Sequence, residues 1–265
     1  MKTSRIKTIV IAILLLLNLV LATLLLNLNR QERSVYERST RQLTVLYEKS
    51  GVALDPSILP REARLSALEP ARDSEAEHAF AEMLLGAVST KDAGGGHIRY
   101  YNASGQCLLR AGGAVEASLS RLVGNQEQFC DELFTRFGYE ATESSFENGS
   151  GAMRGVRRLP GGRVFNAELV LTFSRGRLIA VNGYFVPEPP AEDSAAPQDA
   201  VSAMVRFLDY RNEAGEACTA IRSVRCGYLL QSTTSAAQRL VPAWLIETDT
   251  NSYYVNIGTG EIDRR

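Results

Sequence analysis

The sequence is poor in the residue types from which proteins most often build catalytic and metal sites. Its 265 residues include only two histidines, four cysteines and one tryptophan, and no cysteine pair has Cys-x-x-Cys spacing. Zinc sites and nucleophile–base pairs depend on histidine and cysteine, so this composition argues against both. The net charge is −1. A chain without a basic excess is not typical of nucleic-acid binding.

Sequence motifs of common enzyme families are missing as well. The chain contains no Gly-x-Ser-x-Gly, no His-Glu-x-x-His and no Gly-x-x-x-x-Gly-Lys phosphate-binding loop. Its acidic residues are scattered, and no two of them form an obvious acid/base couple. We therefore expect a protein that is not an enzyme and that has no cofactor and no metal ion.

A long apolar run near the N-terminus is the clearest positive feature. A basic tail of eight residues leads into residues 9–26, which only Asn18 and Thr23 interrupt. About 20 apolar residues cross a bilayer, whereas the core of a signal peptide is usually about 7–15 residues long. No Ala-x-Ala cleavage site follows the run. The sequence therefore predicts a cytoplasmic tail over 1–8 and an uncleaved transmembrane helix over 9–28; a cleaved signal peptide is the alternative.

The charges on the two sides of this run are nearly balanced, so charge alone does not decide its orientation. Positive residues occur both before it and after it, at Lys2, Arg5, Lys7, Arg30, Arg33, Arg38 and Arg41. Because a short basic tail is difficult to export, we expect a cytoplasmic N-terminus and an extracytoplasmic C-terminal region. In such a compartment the cysteines could form disulfides or stay small buried side chains, and the pairing of Cys107, Cys130, Cys218 and Cys226 is left open.

Asn18 is a polar residue in the middle of the predicted span. An amide in lipid is unfavourable unless it finds a hydrogen-bond partner. Ala22 lies one helical turn later on the same face, so Asn18 and Ala22 form a candidate contact with another membrane helix. The alternative is that the Asn18 amide bonds to its own helix backbone.

After the run, the pattern indicates helices that alternate with antiparallel strands, which is an α+β fold. Residues 29–60 read as a helical stalk and linker that Gly51 ends. Further helices are predicted over 73–89 and 115–137, and a last one begins at Pro197. A proline-rich segment, 187–197, separates a first α+β region (61–190) from a second (191–265).

Alternating apolar residues and turn signals place the strands between these helices. In the strand over 178–186, Ile179, Val181 and Phe185 are expected to share one face. The predicted strands cover residues 97–101, 106–110, 154–159, 164–173, 178–186, 219–231, 240–248 and 252–257.

Two stretches of the chain resemble a known family. The start, Ser4-Arg5-Ile6-Lys7-Thr8-Ile9 with its Leu-rich continuation, is similar to the N-terminus of YycI-type proteins. The end, residues 240–246 with 253–262, resembles the closing hairpin of YycI, YycH and PepSY-like domains. In that hairpin a Pro-Ala-Trp sequence opens a strand and an Asn-x-x-Thr-Gly-Glu sequence makes the last turn. The corresponding structural residues are Pro242, Trp244, Asn256, Gly258 and Gly260.

The resemblance implies a regulatory function and a repeated helix-plus-antiparallel-sheet fold like that of PepSY and YycI domains. The implied partners are a sensor histidine kinase of the WalK type, which controls cell-wall metabolism in Gram-positive bacteria, and a related YycH-type regulator. Contact would be made through the membrane helix and the outer domain. The alternative function is a PepSY-like extracytoplasmic module that binds or inhibits a hydrolase.

Overall fold

The computed structural model describes residues 2–61, 63–190, 197–232 and 238–265, with side chains described outside 2–13, 25–33 and 232. The chain divides into two compact units, Met1–Ser57 and Ile58–Arg265. The proposed boundary between 61–190 and 191–265 stays a prediction, and residues 191–196 lie outside the described residues.

The first unit is dominated by one helix, α1 (Lys2–Lys49), which runs from the basic tail through the apolar run into the charged segment. It ends as the sequence predicts, because Gly51 adopts a left-handed conformation with φ of 72°. The amide of Val52 then donates to the carbonyl of Tyr47 at 3.0 Å and closes the last turn.

Within the described residues, the second unit contains three further helices and fourteen strands. The helices are α2 (Ser74–Leu85), α3 (Gln126–Phe137) and α4 (Ala200–Ala214). The strands are β1 (Ala63–Arg64), β2 (Ser89–Gly94), β3 (His97–Asn102), β4 (Gly105–Leu109), β5 (Ala114–Leu122), β6 (Tyr139–Glu147), β7 (Ser150–Leu159), β8 (Gly162–Ser174), β9 (Arg177–Tyr184), β10 (Pro197–Gln198), β11 (Ile221–Ser232), β12 (Gln238–Thr248), β13 (Ser252–Asn256) and β14 (Ile262–Arg264).

The element order confirms the α+β class. Each of α2, α3 and α4 is followed by strands, and twelve strands form one sheet in the order β14-β13-β12-β11-β8-β9-β5-β4-β3-β2, with β7 also pairing β8 and β6 pairing β7. Their pairings are antiparallel, apart from one parallel contact between β11 and β8 at Tyr228 and Val164. Strands β1 and β10 form a separate small pair.

Strand β8 joins the two parts of the sheet. It pairs with β7 along residues 162–173 and with β9 along residues 169–174. A strand has only two edges, so β11 must meet β8 on the same edge as β9, nearer the start of β8. The four-stranded part β11–β14 is therefore paired with the rest of the sheet through one short parallel contact.

Helices α2 and α3 contribute to one core cluster against the sheet. Helix α2 packs on β3, β4 and β5, and α3 packs on β6 and β7. The buried side chains between them include Phe80, Leu84, Leu133, Phe134 and Leu169. Both helices start at side chains that accept backbone hydrogen bonds, Asp73 for α2 and Asn125 for α3.

One predicted helix is only half correct. Residues 126–137 are helical and end at Gly138 as expected, but residues 114–122 form strand β5. Val115, Ala117 and Leu119 are buried at every second position, because β5 lies between β4 and β9 in the sheet. Val115, Leu119 and Leu122 also fit a helical spacing, so periodicity alone does not separate the two structures.

The predicted face of β9 is wrong at Ile179. Leu178 and Val181 are fully buried, whereas Ile179 is 37% exposed. Register shifts interrupt the pairing of β9 with both of its neighbours, between Ser118 and Arg121 and between Thr172 and Phe173. An extra residue in a pairing reverses the faces that follow it, which a strict alternation does not anticipate.

Two smaller predictions also need correction. Pro197 is not in the first turn of a helix; it pairs with Arg64 in β10, and α4 starts at Ala200 after an Asp199 cap. Residues 89–94, which the sequence left as the end of a helix and a linker, form edge strand β2, whose side chains are all exposed. Because no alternation marks an edge strand without a buried face, the sequence contains no signal for it.

Candidate functional site

The predicted contact residues Asn18 and Ala22 both lie on α1 with exposed side chains, one turn apart. The apolar residues around them are exposed on every side of the helix, by 46–66% for Leu14, Leu15, Leu16, Leu17, Leu19, Val20, Leu21 and Leu24. A helix that is apolar all round normally has an apolar environment. No helix in the described part of the chain is both long enough and apolar enough to cross a membrane.

The hydroxyl of Thr23, the other polar residue of this segment, donates to the carbonyl of Val20 at 2.8 Å. The bond satisfies the hydroxyl within the helix itself. Asn18 carries both a donor and an acceptor, so its amide is suited to a partner on another chain.

Pro242 and Trp244 lie in the middle of β12, which has neighbours on both edges. The Pro242 carbonyl accepts a hydrogen bond from Ile257, just beyond the last residue of β13. The N–H that Pro242 lacks would face Ile257 as well, so the regular pairing of β12 with β13 ends at this proline. Trp244 is 1% exposed. It shares a face with Tyr253, whose ring meets Phe207 of α4 at 5.0 Å.

Asn256 organises the turn that leads into the last strand. Its Oδ1 accepts from the amides of Gly258 at 2.9 Å and Thr259 at 3.2 Å. Gly260 has a φ of 77°, and a Cβ there would lie 2.6 Å from the guanidinium of Arg206 in α4. These contacts place the five motif residues in the closing hairpin of the fold. They belong to the second compact unit, whereas Asn18 belongs to the first.

A groove on the second unit is a candidate binding site that the sequence did not indicate. It has a volume of 560 Å³, and the residues that line it come from β7, β8, β9, β13 and the C-terminus. They are Arg154, Phe165, Asn166, Glu168, Val170, Asn182, Gly183, Tyr184, Tyr254 and Arg265. The groove lies next to the joint between β8 and β11.

Two guanidinium groups hold a carboxylate in this groove. Glu168 accepts from Arg154 at 2.5 Å with one oxygen and from Arg265 at 2.8 Å with the other. The hydrogen bond and charge of Glu168 raise the pKa of Arg154 above its usual value. Both oxygens of Glu168 are therefore already engaged in charge-assisted hydrogen bonds within the groove.

Aromatic and amide side chains complete the groove. Phe165 and Tyr254 are stacked at 5.9 Å with an angle of 18° between their planes. Burial raises the pKa of the Tyr254 hydroxyl, so this group stays neutral. Asn166 bridges to β11, because its side chain donates to the carbonyl of Leu230 at 2.9 Å and accepts from the Leu230 amide at 2.7 Å.

The groove was missed because its residues are far apart in the sequence. Asn166 and Glu168 belong to β8, whereas Arg154 is in β7 and Arg265 is the last residue. The one local signal is that polar Asn166 and Glu168 alternate with the buried residues Ala167 and Leu169. This alternation indicates that Asn166 and Glu168 lie on one face of β8. Only the pairing of the strands shows which residues of neighbouring strands lie next to them on that face.

The four cysteines are free in the structure, with Cys107, Cys130 and Cys218 buried and Cys226 half-buried. Burial raises the pKa of Cys107, Cys130 and Cys226 to about 12. Among the described residues, no three His, Cys, Asp or Glu side chains converge to hold a metal ion.

No protein-family model and no curated protein match this chain. Its structure is similar to that of an uncharacterized protein from Eubacterium rectale, with a TM-score of 0.45, 9% identity and coverage of 77% of this chain and 81% of that one. It is also similar to the C-terminal domain of YpeB from Bacillus megaterium, with a TM-score of 0.36, 10% identity and coverage of 74% and 98%. At these scores the similarities carry no conclusion about function.

Proposed function

We propose that this protein is a membrane-anchored, extracytoplasmic regulator that contacts a two-component sensor histidine kinase of the WalK type and changes its activity. In this proposal residues 9–28 lie in the membrane with the N-terminus in the cytoplasm. The second unit lies outside and is a variant of the PepSY/YycI-like fold. The protein performs no chemistry of its own and acts together with a related YycH-type regulator.

The observation that supports this function best is the exposed apolar surface of α1. From Leu14 to Leu24 the helix offers apolar side chains on all sides, with Asn18 and Ala22 on one of them. A lipid environment explains the apolar surface. The amide and the small residue beside it are what helix–helix contacts in membranes use.

The choice of a kinase as the partner rests on the resemblance of the N-terminal segment and the closing hairpin to YycI-type proteins. Physically, regulation requires only that the protein bind one state of the kinase more tightly than the other. A tenfold difference in affinity between the two states, about 1.4 kcal/mol, changes their ratio tenfold.

The test replaces residues 9–26 with an unrelated apolar helix of the same length, in the full chain and in the native host. We expect the replaced protein to remain in the membrane while transcription from kinase-dependent promoters changes. A matched control replaces only Thr23 with Leu, since the Thr23 hydroxyl is satisfied by Val20 within the helix. This control should leave transcription unchanged.

A co-purification experiment gives the second readout. The kinase should be recovered with the intact protein from detergent-solubilised membranes, and recovery should fall when the helix is replaced. Unchanged promoter output together with unchanged recovery of the kinase would show that the membrane helix is not a specific contact, and the proposal would be wrong.

The groove beside Glu168 supports a second candidate, an extracytoplasmic module that binds or inhibits a hydrolase. Tyr184 is 37% exposed at the rim of the groove, so Tyr184→Ala removes contact area without disturbing the core. Tyr101→Ala, at a tyrosine that is 42% exposed elsewhere on the sheet, is the control. Loss of hydrolase binding in the Tyr184 variant alone, with kinase output unaffected, would favour this candidate.

A further inference from the structure

Helix α1 has a heptad pattern that extends beyond its apolar run. Positions spaced alternately by three and four residues are apolar except at Asn18, Glu32, Ser39 and Gln42. This spacing is typical of the contact line between two helices in a coiled coil. We call these positions the seam; its members are Ile11, Leu14, Asn18, Leu21, Leu25, Leu28, Glu32, Val35, Ser39, Gln42 and Leu46.

The seam has exposed apolar residues where a lipid anchor has no need of them. Val35 is 62% exposed and Leu46 is 43% exposed, although both lie in the charged segment after the apolar run. Val45, which flanks the seam, is 49% exposed. In contrast, Leu43 and Tyr47 on another side of the same helix are buried. The seam therefore offers a helix partner its main contact in the apolar run and further apolar contacts at Val35 and Leu46.

The chemistry of Asn18 indicates what this partner is. A carboxamide is both a donor and an acceptor, so two asparagines satisfy each other when they meet. In two parallel copies of one helix, each seam position lies against the same position of the other copy. An asparagine at such a position favours a parallel pair in register, because shifted or antiparallel arrangements leave it against leucine.

We propose that two copies of this chain associate in parallel through the seam of α1, with the Asn18 side chains hydrogen-bonded across the pair. Ala22, one turn from Asn18, lets the two helices approach closely. The one charged seam position in the sequence is Glu32, just beyond the apolar run. The two copies of Glu32 repel each other in water, so the membrane part around Asn18 contributes most of the affinity.

This inference depends on the proposed membrane anchoring and does not depend on the kinase; Asn18 here faces the second copy, and a kinase would contact the paired helices. It is tested with the purified full chain in detergent micelles, by energy transfer between copies that carry donor or acceptor dyes at the N-terminus. We expect a dimer that dissociates as the ratio of detergent to protein rises. Asn18→Leu should raise the dissociation constant about 3- to 30-fold, the range that interhelical hydrogen bonds in membranes produce.

Thr23→Leu is the matched control, because it also replaces a polar residue of the apolar run with leucine but lies on the side of α1 opposite the seam. It should leave the dissociation constant unchanged. The inference is wrong if the chain is monomeric at every detergent ratio, or if the variants at Asn18 and Thr23 behave alike.

Cysteine cross-linking checks the geometry independently of affinity. Under mild oxidation, Leu21→Cys on the seam should give a covalent dimer, whereas Leu19→Cys two residues away should not. The unmodified chain is the background control, since its own four cysteines are buried or half-buried. Equal cross-linking at both positions would contradict the seam. If the chain floats with membranes but neither associates nor cross-links, this inference alone fails.

Discussion

At the scale of single residues, alanine substitutions at Gly138 and Gly215 can distinguish the cost of backbone strain from the cost of a steric clash. Both end a helix in the left-handed conformation, with φ of 70° and 65°. A Cβ on Gly215 would meet nothing within 4 Å, whereas a Cβ on Gly138 would lie 1.8 Å from Nη1 of Arg157. Arg157 is buried and hydrogen-bonded to the carbonyls of Gly138 and Val186.

We therefore expect Gly215→Ala to lower the free energy of unfolding by about 1–2 kcal/mol through backbone strain alone. Gly138→Ala should lower it by a further 1–3 kcal/mol or so, because the Arg157 guanidinium must move and lose hydrogen bonds. Urea unfolding of the two variants measures the difference. Equal losses would show that Arg157 adapts to the extra methyl group.

Cys107 predicts a loss of stability at alkaline pH. Burial, with a smaller contribution from Glu77, raises the pKa of its thiol from 9.0 to about 12. Between these values the unfolded chain releases the proton while the folded protein keeps it, so stability falls as pH rises through this window. The unfolding free energy should fall by on the order of 1–2 kcal/mol more in the native protein than in Cys107→Ala between pH 8 and pH 10.5. The same fall in both would exclude Cys107 as the cause.

At the scale of elements, the sequence predicted most strands and missed where their pairing is irregular. Strands β8 and β12 have alternating or continuous apolar residues bounded by turns, and both were found. The sequence of strand β5 also predicts a helix, because Val115, Leu119 and Leu122 fit helical spacing. Only pairing with β4 and β9 decides in favour of a strand, and such partners are remote in the sequence.

The joint between β8 and β11 is the element-scale feature with the sharpest test. Asn166 bonds both the amide and the carbonyl of Leu230, next to the one parallel contact between these strands. Asn166→Ala leaves both backbone groups without this partner and should lower stability by about 1–3 kcal/mol. Hydrogen exchange at the Leu230 amide should become faster.

Asn182→Ala is the control for this prediction, because Asn182 is an exposed residue of β9 in the same groove. Exchange at Leu230 should be as slow in this variant as in the native protein. If Asn166→Ala has no effect on the exchange of β11, the strands are held together by packing and Asn166 is dispensable.

At the scale of the whole molecule, anchoring by the apolar run is the prediction on which the proposed function depends. The full chain should stay in the membrane pellet after alkaline carbonate extraction, and a chain that begins at Asn29 should be in the supernatant. Mass spectrometry of the mature protein provides the check. A mature N-terminus after the apolar run would identify a cleaved signal peptide and overturn the anchor.

The two candidate sites differ in how much of them a sequence can reveal. The Asn18 surface is local: a polar residue within an apolar run is visible without any structure. The groove around Glu168 combines residues from β7, β8, β9, β13 and the C-terminus, and no single stretch of the sequence contains them all. Only the folded structure shows that Arg154 and Arg265 both form ion pairs with the Glu168 carboxylate.

The continuity of α1 has a mechanical consequence. No glycine or proline interrupts the helix between Lys2 and Lys49, so it has none of the usual sites of a kink. A helix of 48 residues is about 72 Å long. Because it is continuous, a rotation of one end about the helix axis also rotates the other end. Torque applied to the apolar end by a neighbouring helix would reach Lys49 as a rotation about the same axis.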